Sequence, residues 1–460
     1  MTTAGTHLGA QAPYTVSDIE TDLIATLQPM TPRQKLWLAF FAAGCLLGVV
    51  AFIYQCKVGL GATAMTNYFS WGVYIINFVF FIGVSHAGTL VSAILRVTGA
   101  EWRRPITRMA EGITVIALCI GAPMVVVDMG RPDRVLYVIL HGRLQSPILW
   151  DVVSVTTYLT GSLLYLYLPM IPDLAILRDH PGLTSWRRRL YRFMSIGWTG
   201  TPDQWRRLER GISAMAIVII PVAISVHTVV SWIFGMTLRA GWHSTIFGPY
   251  FVVGAIFSGI AALITAMATF VWYYSPHLDR YLTLSVFKKL ASLLLAVNLV
   301  YIYFTVSEYI TMGYPSEGPD RRLLESLFFG RYAYLFWGMA IVGLLIPAIL
   351  LALPWTRTLK GILTASILIN VGMWVKRYVI VVPTLASPFM PVLTPGGKPL
   401  SYVPTWVEWS ITIGGFSGFC MLYLLFSKVF PIVSIWEVED RQHAHAPAVN
   451  SVPEVEGVLA

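Results

Sequence analysis

The stretch SWGVYIINFVFFIGVSHAGTLVSAILRVTGAEWRRPITRMAEGITVIALCIGAPMVVVDMGRPDRVLYVILHGRLQSPILWDVVSVTT, Ser70–Thr157, decides the fold. It holds three apolar runs long enough to cross a bilayer as helices. A charge at the bilayer centre costs ~3 kcal/mol on insertion scales, so such groups usually face a protein interior and mark a function. This stretch nevertheless carries five polar side chains, His86, Glu111, Asp128, Arg131 and Asp151.

The composition of the whole chain is that of a membrane protein. Of the 460 residues, 56% are hydrophobic and 12% are charged, whereas soluble domains carry about 25% charged residues. Apolar runs near 20 residues recur about ten times. We therefore predict an all-α polytopic membrane protein. Its predicted spans are 36–55, 71–97, 106–127, 148–169, 211–234, 250–274, 290–310, 333–353, 360–381 and 407–427.

The charge distribution predicts the topology. Most of the 32 Lys and Arg residues lie in connections on the side of the N-terminus, above all between Arg178 and Arg210. Basic loops stay in the cytoplasm, so both termini are expected to be cytoplasmic. The net charge of +9 is explained by this topology, so nucleic-acid binding is not needed to account for it. The four Cys lie in or beside apolar spans without a CxxC pair, so we expect no metal site and no iron–sulfur cluster bound by this chain.

Sequence position predicts depth, because a helix rises 1.5 Å per residue. His86 then lies roughly 22 Å from the outer edge of its span, and Glu111 roughly 9 Å from the inner edge of the next. We expect these two residues to form an inner cluster in the cytoplasmic half that relays protons. The alternative for His86 is an interior histidine that bonds a backbone carbonyl group.

A second polar cluster is predicted at the outer face. Asp128 ends one span and Asp151 begins the next, where Ser146 and Pro147 resemble an N-cap and a first helical residue. Two carboxylates there could bind and deprotonate a hydroxylated ligand. The alternatives are a salt bridge from Asp128 to Arg131, and an Asp151 carboxylate that stabilises a helix N-terminus by ~0.3–1 kcal/mol.

Further residues are placed near this outer cluster. We expect His227 to approach it along the fifth span, and Arg131, Trp71 and Tyr74 to line it. The segment Gly241–Phe251 could cap a pocket or dock a partner. Because His86 and His227 are assigned to different depths, we expect no transmembrane haem, whose axial ligands need one depth.

Two other groups of charged residues receive less specific interpretations. We expect Lys376 and Arg377 to pair with Glu408 as an interfacial ion pair. Glu308, near the outer end of the seventh span, is a candidate for a second pathway. His443 and His445 lie in a polar tail for which we expect disorder rather than metal binding.

Five motifs, in order along the chain, resemble those of the NrfD/PsrC family of membrane subunits. They are specific together, and the resemblance covers roughly residues 30–430. The chain is most similar to the ActC branch, the quinol-oxidising subunits of bacterial alternative complex III. The motifs are VSHAGTLVSAILR (Val84–Arg96), AEGITV (Ala110–Val115), MGRP (Met129–Pro132), SPILWDV (Ser146–Val152) and GWHSTIFGPYFVVGAIFSG (Gly241–Gly259).

The resemblance implies a fold with two four-helix bundles. The domains expected from it are an N-terminal cytoplasmic segment, a first helix with its loop, the quinol-binding bundle, a second bundle, a tenth helix with the loop before it, and a cytoplasmic tail, which its polar composition predicts to be loose from Glu437. Their bounds are 1–35, 36–70, 71–234, 235–381, 382–430 and 431–460.

The resemblance also implies a function. The family binds menaquinol or another quinone near the outer face, and its members carry no redox centre themselves. Its quinol-site pair is a His just before MGRP and the Asp of SPLLWD. Here Asp151 keeps the second position, whereas Asp128 occupies the position of the histidine. We therefore expect Asp151 and Asp128 to act as catalytic residues, with menaquinol as substrate and no haem bound by this chain.

The expected partners follow from the same resemblance. They are a periplasmic-side iron–sulfur or molybdopterin-like subunit, haem c subunits, a second NrfD-like membrane subunit and lipids, in the bacterial cytoplasmic membrane. Coupling to proton translocation is left open. The competing classes are a secondary transporter, which should show repeats with broken helices at the midplane, and a structural membrane anchor.

Overall fold

The computed structural model describes residues 16–314, 318–390, 392 and 400–439, and His443 and His445 lie outside these ranges. The described residues form helices and connecting loops. The α-helices are α1 Val16–Ala25, α2 Pro32–Val58, α3 Val73–Val97, α4 Arg104–Asp128, α5 Tyr137–Leu140, α6 Pro147–Tyr167, α7 Met170–Asp179, α8 Ser185–Met194, α9 Pro202–Met236, α10 Phe247–Tyr274, α11 Leu284–Gly313, α12 Gly318–Phe328, α13 Ala333–Gly338, α14 Ile346–Ala352, α15 Leu359–Leu385 and α16 Trp406–Val429.

The prediction of an all-α polytopic membrane protein is confirmed. Within the described ranges, nine helices are long and apolar enough to cross a membrane. The pair α6 and α7, bent by 47°, supplies a tenth span. The bend falls at Pro169, which has no backbone N–H to continue the hydrogen-bonding pattern of α6. We call the face with the N-terminus and the arginine-rich α8 the inner face, and the opposite one the outer face.

Helices α3, α4, α6 and α9 pack together as a first bundle around α3. Of the residues in the most apolar stretch of α3, 88% are buried. Glycines allow α3 to approach its neighbours closely. A Cβ atom at Gly88 would collide with the carbonyl oxygen of Ala110 on α4. A Cβ atom at Gly259 of α10 would lie 2.5 Å from the backbone nitrogen of Ala87. Helix α3 therefore packs so closely between α4 and α10 that only small residues fit at these contacts.

Helices α10, α11 and α15 pack with a fourth span, Ala333–Ala352, as a second bundle. This span consists of α13, a π-helical segment Met339–Leu345 and α14. The side chain of Asn298 donates to the carbonyl oxygen of Leu344 at 3.1 Å. Gly343 and Gly372 meet backbone to backbone, which brings the π-helical segment against α15. Outside both bundles, α2 and α16 meet at Gly48 and Gly414.

The chain after α16 corrects the prediction that the tail is loose from Glu437, because Glu437 and Val438 are buried. Residues 431–439, which we call the C-terminal strap, lie across the inner end of the first bundle, with Ile432, Val433, Ile435 and Trp436 buried. The backbone nitrogens of Ile435 and Trp436 each donate to Asp173 at 3.0 Å. This apolar pattern was not predicted to form structure, because the segment is too short to span a bilayer.

A buried ion pair anchors the strap. Arg108 of α4 pairs with Asp173 of α7, and both side chains are almost fully buried. Arg108 also donates to the carbonyl oxygen of Pro169 at 2.9 Å and to the hydroxyl of Ser434 at 3.2 Å. Glu437 of the strap lies 3.3 Å from Arg96. The strap is thus joined to α3, α4 and α7.

Replacing Asp173 by Ala is expected to destabilise the protein by ~3–5 kcal/mol, because Arg108 would remain buried without its carboxylate. Titration with SDS in detergent micelles measures the loss of stability, and protease cleavage within the strap reports its release. The matched control is Asp203→Ala, since Asp203 is exposed and pairs with Arg206 at 3.4 Å; exposed pairs contribute ~1 kcal/mol or less. Equal destabilisation by both substitutions would contradict the anchoring role.

Candidate functional site

A polar stripe on α6 faces the interior of the first bundle. The buried residues of this helix recur at helical spacing, which places them on one face. Four of them are polar: Asp151, Tyr158, Ser162 and Tyr165. The spacing of seven residues between Asp151 and Tyr158 was a signal available in the sequence, but the sequence analysis used only Asp151.

Asp151 lies near the outer end of this stripe. Ser146 occupies the N-cap position and Pro147 is the first helical residue, as predicted. Asp151 is therefore beyond the first turn, where the field of the helix dipole has largely decayed. The residue is 8% exposed, and among the described residues its Oδ1 atom has no hydrogen-bond partner. A buried carboxylate oxygen without a partner is costly and available to a ligand.

His86 and His227 meet at the centre of the first bundle. Their ring centroids lie 4.1 Å apart, and both side chains are buried. The hydroxyl of Tyr158 donates to the carbonyl oxygen of Ser85 at 3.0 Å, and its ring lies 5.2 Å from that of His86. The polar stripe of α6 therefore leads from Asp151 to this histidine pair.

This contact corrects the expected placement of His227 beside the outer carboxylates. The depth estimate used backbone positions alone. Helical side chains tilt towards the N-terminus of their own helix, and α3 and α9 run in opposite directions. The ring of His86 therefore points outwards from its backbone and the ring of His227 points inwards, so that the two converge at one depth.

The depth argument against haem is removed by the same contact. Whether these histidines could bind haem iron depends instead on the hydrogen bonds of their ring nitrogens. The ring nitrogens of His86 lie 2.9 Å from the carbonyl oxygen of Ile82 and 2.7 Å from that of Ala223, so the alternative of a histidine bonded to backbone carbonyl groups describes His86 correctly. Within the described ranges, no group of three or more His, Cys, Asp or Glu side chains is arranged to hold a metal ion.

Asp128 faces a different set of neighbours from Asp151. Tyr74 interacts electrostatically with both Asp128 and Glu408, and its hydroxyl donates to Gln55 at 2.6 Å. Asp128 thus points towards α3 and α16. The contact between Tyr158 and Ser85 sets the level of Asp151 near Phe78, which is ~6 Å deeper than Tyr74. We call Tyr74, Asp128 and Glu408 the outer acidic cluster.

Arg131 lies outside this cluster. It is exposed on the outer loop and pairs with Asp133 at 3.3 Å. Hydrogen bonding by Arg131 holds the pKa of Asp133 below its ordinary value. The alternative of a salt bridge between Asp128 and Arg131 is therefore wrong. The reason is local, since the 3₁₀ turn Pro132–Arg134 turns Asp133 back towards Arg131.

Trp71 stacks on Trp242 with ring centroids 5.6 Å apart, and Phe234 contacts both rings. Trp242 belongs to the external segment that was expected to cap a pocket. This segment and the outer end of α9 line a cavity of about 340 Å³. Its polar groups include the side chains of Ser231, His243 and Ser244, so the segment does form one wall of a cavity near Trp71.

Glu111 lies towards the inner face with partners of its own. Ser92 donates to its carboxylate at 2.9 Å, and the hydroxyl of Tyr165 lies 3.3 Å from that of Ser92. Glu437 of the C-terminal strap is close enough to act on Glu111 electrostatically. Glu111 therefore groups with Ser92 and Tyr165, and not with His86 as predicted, because the ring of His86 contacts His227. The histidine pair lies between this group and Asp151.

The expected ion pair of Lys376 and Arg377 with Glu408 is wrong. Glu408 instead bonds Tyr402 and accepts from the backbone nitrogen of Ala64 at 2.9 Å. Lys376 and Arg377 point into the second bundle, where Lys376 donates to the hydroxyl of Tyr309 at 3.1 Å. The positions of these residues in their spans correctly suggested a similar depth in the membrane. They could not show that Glu408 and the two basic residues face different helices.

A large apolar cavity is separate from the polar stripe. It has a volume of about 370 Å³ and lies between α2, α3, α10 and α16. Phe80, Phe81, Phe416 and Phe419 are among its lining residues. Such a lining suits hydrocarbon chains, whereas orientation of a reacting group needs convergent polar side chains, which the first bundle provides around Asp151.

Comparison with known proteins identifies the family. A model of the family described as polysulphide reductase, NrfD, matches residues 61–388. The chain therefore belongs to the NrfD family and is an integral, multi-pass membrane protein. The match contains both the polar stripe of α6 and the histidine pair.

Three curated relatives are similar over most of their length. A putative membrane subunit of a dimethyl sulfoxide reductase from Halobacterium salinarum is 27% identical over 73% of this chain and 74% of its own. A selenate reductase subunit of Mesobacillus selenatarsenatis is 23% identical over 89% and 96%. The Hdr-like menaquinol oxidoreductase integral membrane subunit of Archaeoglobus fulgidus is 22% identical over 87% and 93%.

Replacing Tyr158 by Phe is expected to lower stability by ~1 kcal/mol, the typical contribution of one hydrogen bond. The loss should be modest because Ser85 also accepts from Thr114 at 2.6 Å. Unfolding by SDS measures it. The control is the neighbouring Thr157→Val, which removes an exposed hydroxyl bonded within its own helix to Val153. A Tyr158→Phe protein as stable as the control would show that the hydroxyl does not hold α6 against α3.

Proposed function

We propose that this chain is the quinol-binding membrane subunit of a multi-subunit quinol oxidoreductase of the alternative complex III type. It oxidises menaquinol near the periplasmic face of a bacterial cytoplasmic membrane. The carrying observation is the buried carboxylate of Asp151, whose Oδ1 atom has no partner among the described residues. Membership of the NrfD family and a relative named as a menaquinol oxidoreductase subunit support the substrate class.

In the proposed reaction, a quinol approaches from the lipid between α6 and α9 and donates a hydrogen bond to Asp151. Oxidation of the quinol releases protons and electrons together. Asp151 accepts a proton as a general base, while the electrons pass singly to an iron–sulfur subunit bound at the outer face. A carboxylate held in an interior with few competing donors is available for this proton transfer.

The outer acidic cluster is proposed to complete the site. Asp128 occupies the family position of a histidine, and its Oδ1 atom is buried without a partner among the described residues. Asp128 would take the second proton, or receive the first from Asp151, and pass it outwards. The stacked ring of Trp71 would border the ligand, and the exposed Arg131 would contact the electron-accepting subunit.

A proton route on the inner side is proposed as well. Glu111, Ser92 and Tyr165 lie between the inner face and the histidine pair. His86 and His227 would exchange protons with this group, so that quinol oxidation could be coupled to proton uptake from the cytoplasm. His227 has an Nδ1 atom without a partner within the described residues, which leaves one position of the pair open to water or ligand.

The proposed assembly contains further subunits. Electrons would leave through a periplasmic-side iron–sulfur or molybdopterin-like subunit to haem c subunits, beside a second NrfD-like membrane subunit. The competing proposals are a secondary transporter and a structural anchor. The bent pair α6–α7 and Pro221 inside α9 are the features that a transporter would use. A purified chain that moves a solute without redox partners would favour it.

Replacing Asp151 by Asn in the intact complex is expected to reduce menaquinol oxidation by about 10²–10⁴-fold, because an amide cannot accept the proton. Turnover with an artificial electron acceptor measures this, and co-purification of the subunits shows that the complex still assembles. Asp133→Asn, which changes an exposed outer-loop carboxylate, is the matched control. Wild-type turnover of the Asp151→Asn complex would refute the assignment and favour the anchor.

A further inference from the structure

Three charged side chains in the second bundle are buried and are not used by the proposed reaction. They are Lys376 and Arg377 of α15 and Glu308 of α11, which are 1%, 5% and 3% exposed. By hydrogen-bond geometry neither oxygen of the Glu308 carboxylate has a partner among the described residues, although the Ser244 hydroxyl is close enough to interact with it. Lys376 donates to the hydroxyl of Tyr309 and Arg377 to the carbonyl oxygen of Met373. Buried charges are costly unless they are paired or hydrogen-bonded, so it is the Glu308 carboxylate that requires an explanation.

A small cavity joins the histidine pair to these charges. We call it the histidine cavity; it measures about 10 Å³ and is lined by His227, Tyr250, Tyr301, Lys376 and Arg377. The His227 ring, whose Nδ1 atom has no partner among the described residues, also contacts the ring of His86. The cavity therefore connects the centre of the first bundle with the interior of the second.

A second small cavity lies nearer the outer face. We call it the glutamate cavity; it measures about 20 Å³, and its polar lining includes Tyr250, Glu308, Tyr309 and Lys376. Glu308 is five residues from the outer end of α11, or ~8 Å along the helix. Tyr250, Lys376 and Ile380 line both cavities, so the two cavities are neighbours along these three residues.

Each cavity has about the volume and the polar lining that one buried water needs, since ~10–15 Å³ and two to four polar partners suffice. A water in the histidine cavity could bond the Nδ1 atom of His227 and the guanidinium group of Arg377. A water in the glutamate cavity could bond Glu308 and Lys376. These waters would satisfy the polar atoms that the protein leaves without partners.

The chain of polar groups continues from Glu308 to the surface. Lys376 and His243 are the cations that act on Glu308 electrostatically, and Ser244 lies beside it. His243 is half-exposed and lies 3.6 Å from Asp320. Glu308 thus interacts with Ser244 and with His243, and the half-exposed side chain of His243 reaches the outer solution.

We propose that the two cavities hold ordered waters that conduct protons from His227 to Glu308 and on to the outer surface, so that the outer half of the proton path lies in the second bundle. This rests on the proposed function, because the inner half is the route through Glu111 to the histidine pair. Each proton that enters from the inside leaves by way of Glu308, and the energy comes from quinol oxidation. Arg377 keeps its charge and orients the water.

The test is proton release by the intact complex in sealed proteoliposomes during menaquinol oxidation. For the wild type, more protons per electron should appear outside than quinol chemistry itself supplies. In the Glu308→Gln complex this excess should vanish, while uncoupled turnover stays within about twofold of the wild type. Glu325→Gln is the matched control, because Glu325 is an exposed outer-face residue paired with Arg321 at 2.9 Å.

The outcomes separate this inference from the proposed function. A wild-type complex that does not oxidise menaquinol would refute the proposed function. Normal oxidation with no excess of protons, or an excess that survives in Glu308→Gln, would overturn the water path alone. A density map of the intact complex gives a second readout, because both cavities should contain a water in the wild type and lose it in Lys376→Met. Dry cavities in the wild type would also overturn the inference.

Discussion

The close approach of α3 to α4 and α10 is the constraint on which the rest of the structure depends. At Gly88 and Gly259 the backbones of neighbouring helices come so near that no side chain fits between them. In lipid, such packing replaces the hydrophobic effect as the force that joins helices. It fixes α3 of the first bundle against α10 of the second. His86 of α3 therefore lies close to both α9 and the second bundle.

Polar side chains are tolerated in this interior because the bundles bond them to one another or to backbone carbonyl groups. The ring nitrogens of His86 lie within hydrogen-bond distance of two carbonyl oxygens, and Glu111 accepts from Ser92. Asp151, His227 and Glu308 retain atoms without partners among the described residues. They lie in the outer part of the first bundle, at its centre and near the outer end of the second bundle. Unsatisfied buried groups are expensive, and these three are the ones to which we assign the proposed quinol site and the proposed proton path.

The sequence predicted the helical architecture, but few of the contacts between the polar residues that it singled out. Long apolar runs located the ten spans, because a bilayer requires helices of that length. Asp151 was found through its motif and its position after a helix start. Estimates of depth from sequence position placed His86 and His227 apart, whereas their rings are in contact. The same estimates paired Lys376 and Arg377 with Glu408, which has other partners in the structure. The C-terminal strap was missed because its apolar residues pack on protein, not in lipid.

What the sequence by itself determined is therefore which segments cross the membrane and which polar groups they carry, since both follow from local composition and helix length. Membership of the NrfD family also follows from motifs that can be read in order along the chain. Only the tertiary structure decided which polar groups meet. The direction of each side chain depends on the rotation and register of its helix, and antiparallel helices tilt their side chains towards one another. For this reason two histidines assigned to different depths share one site.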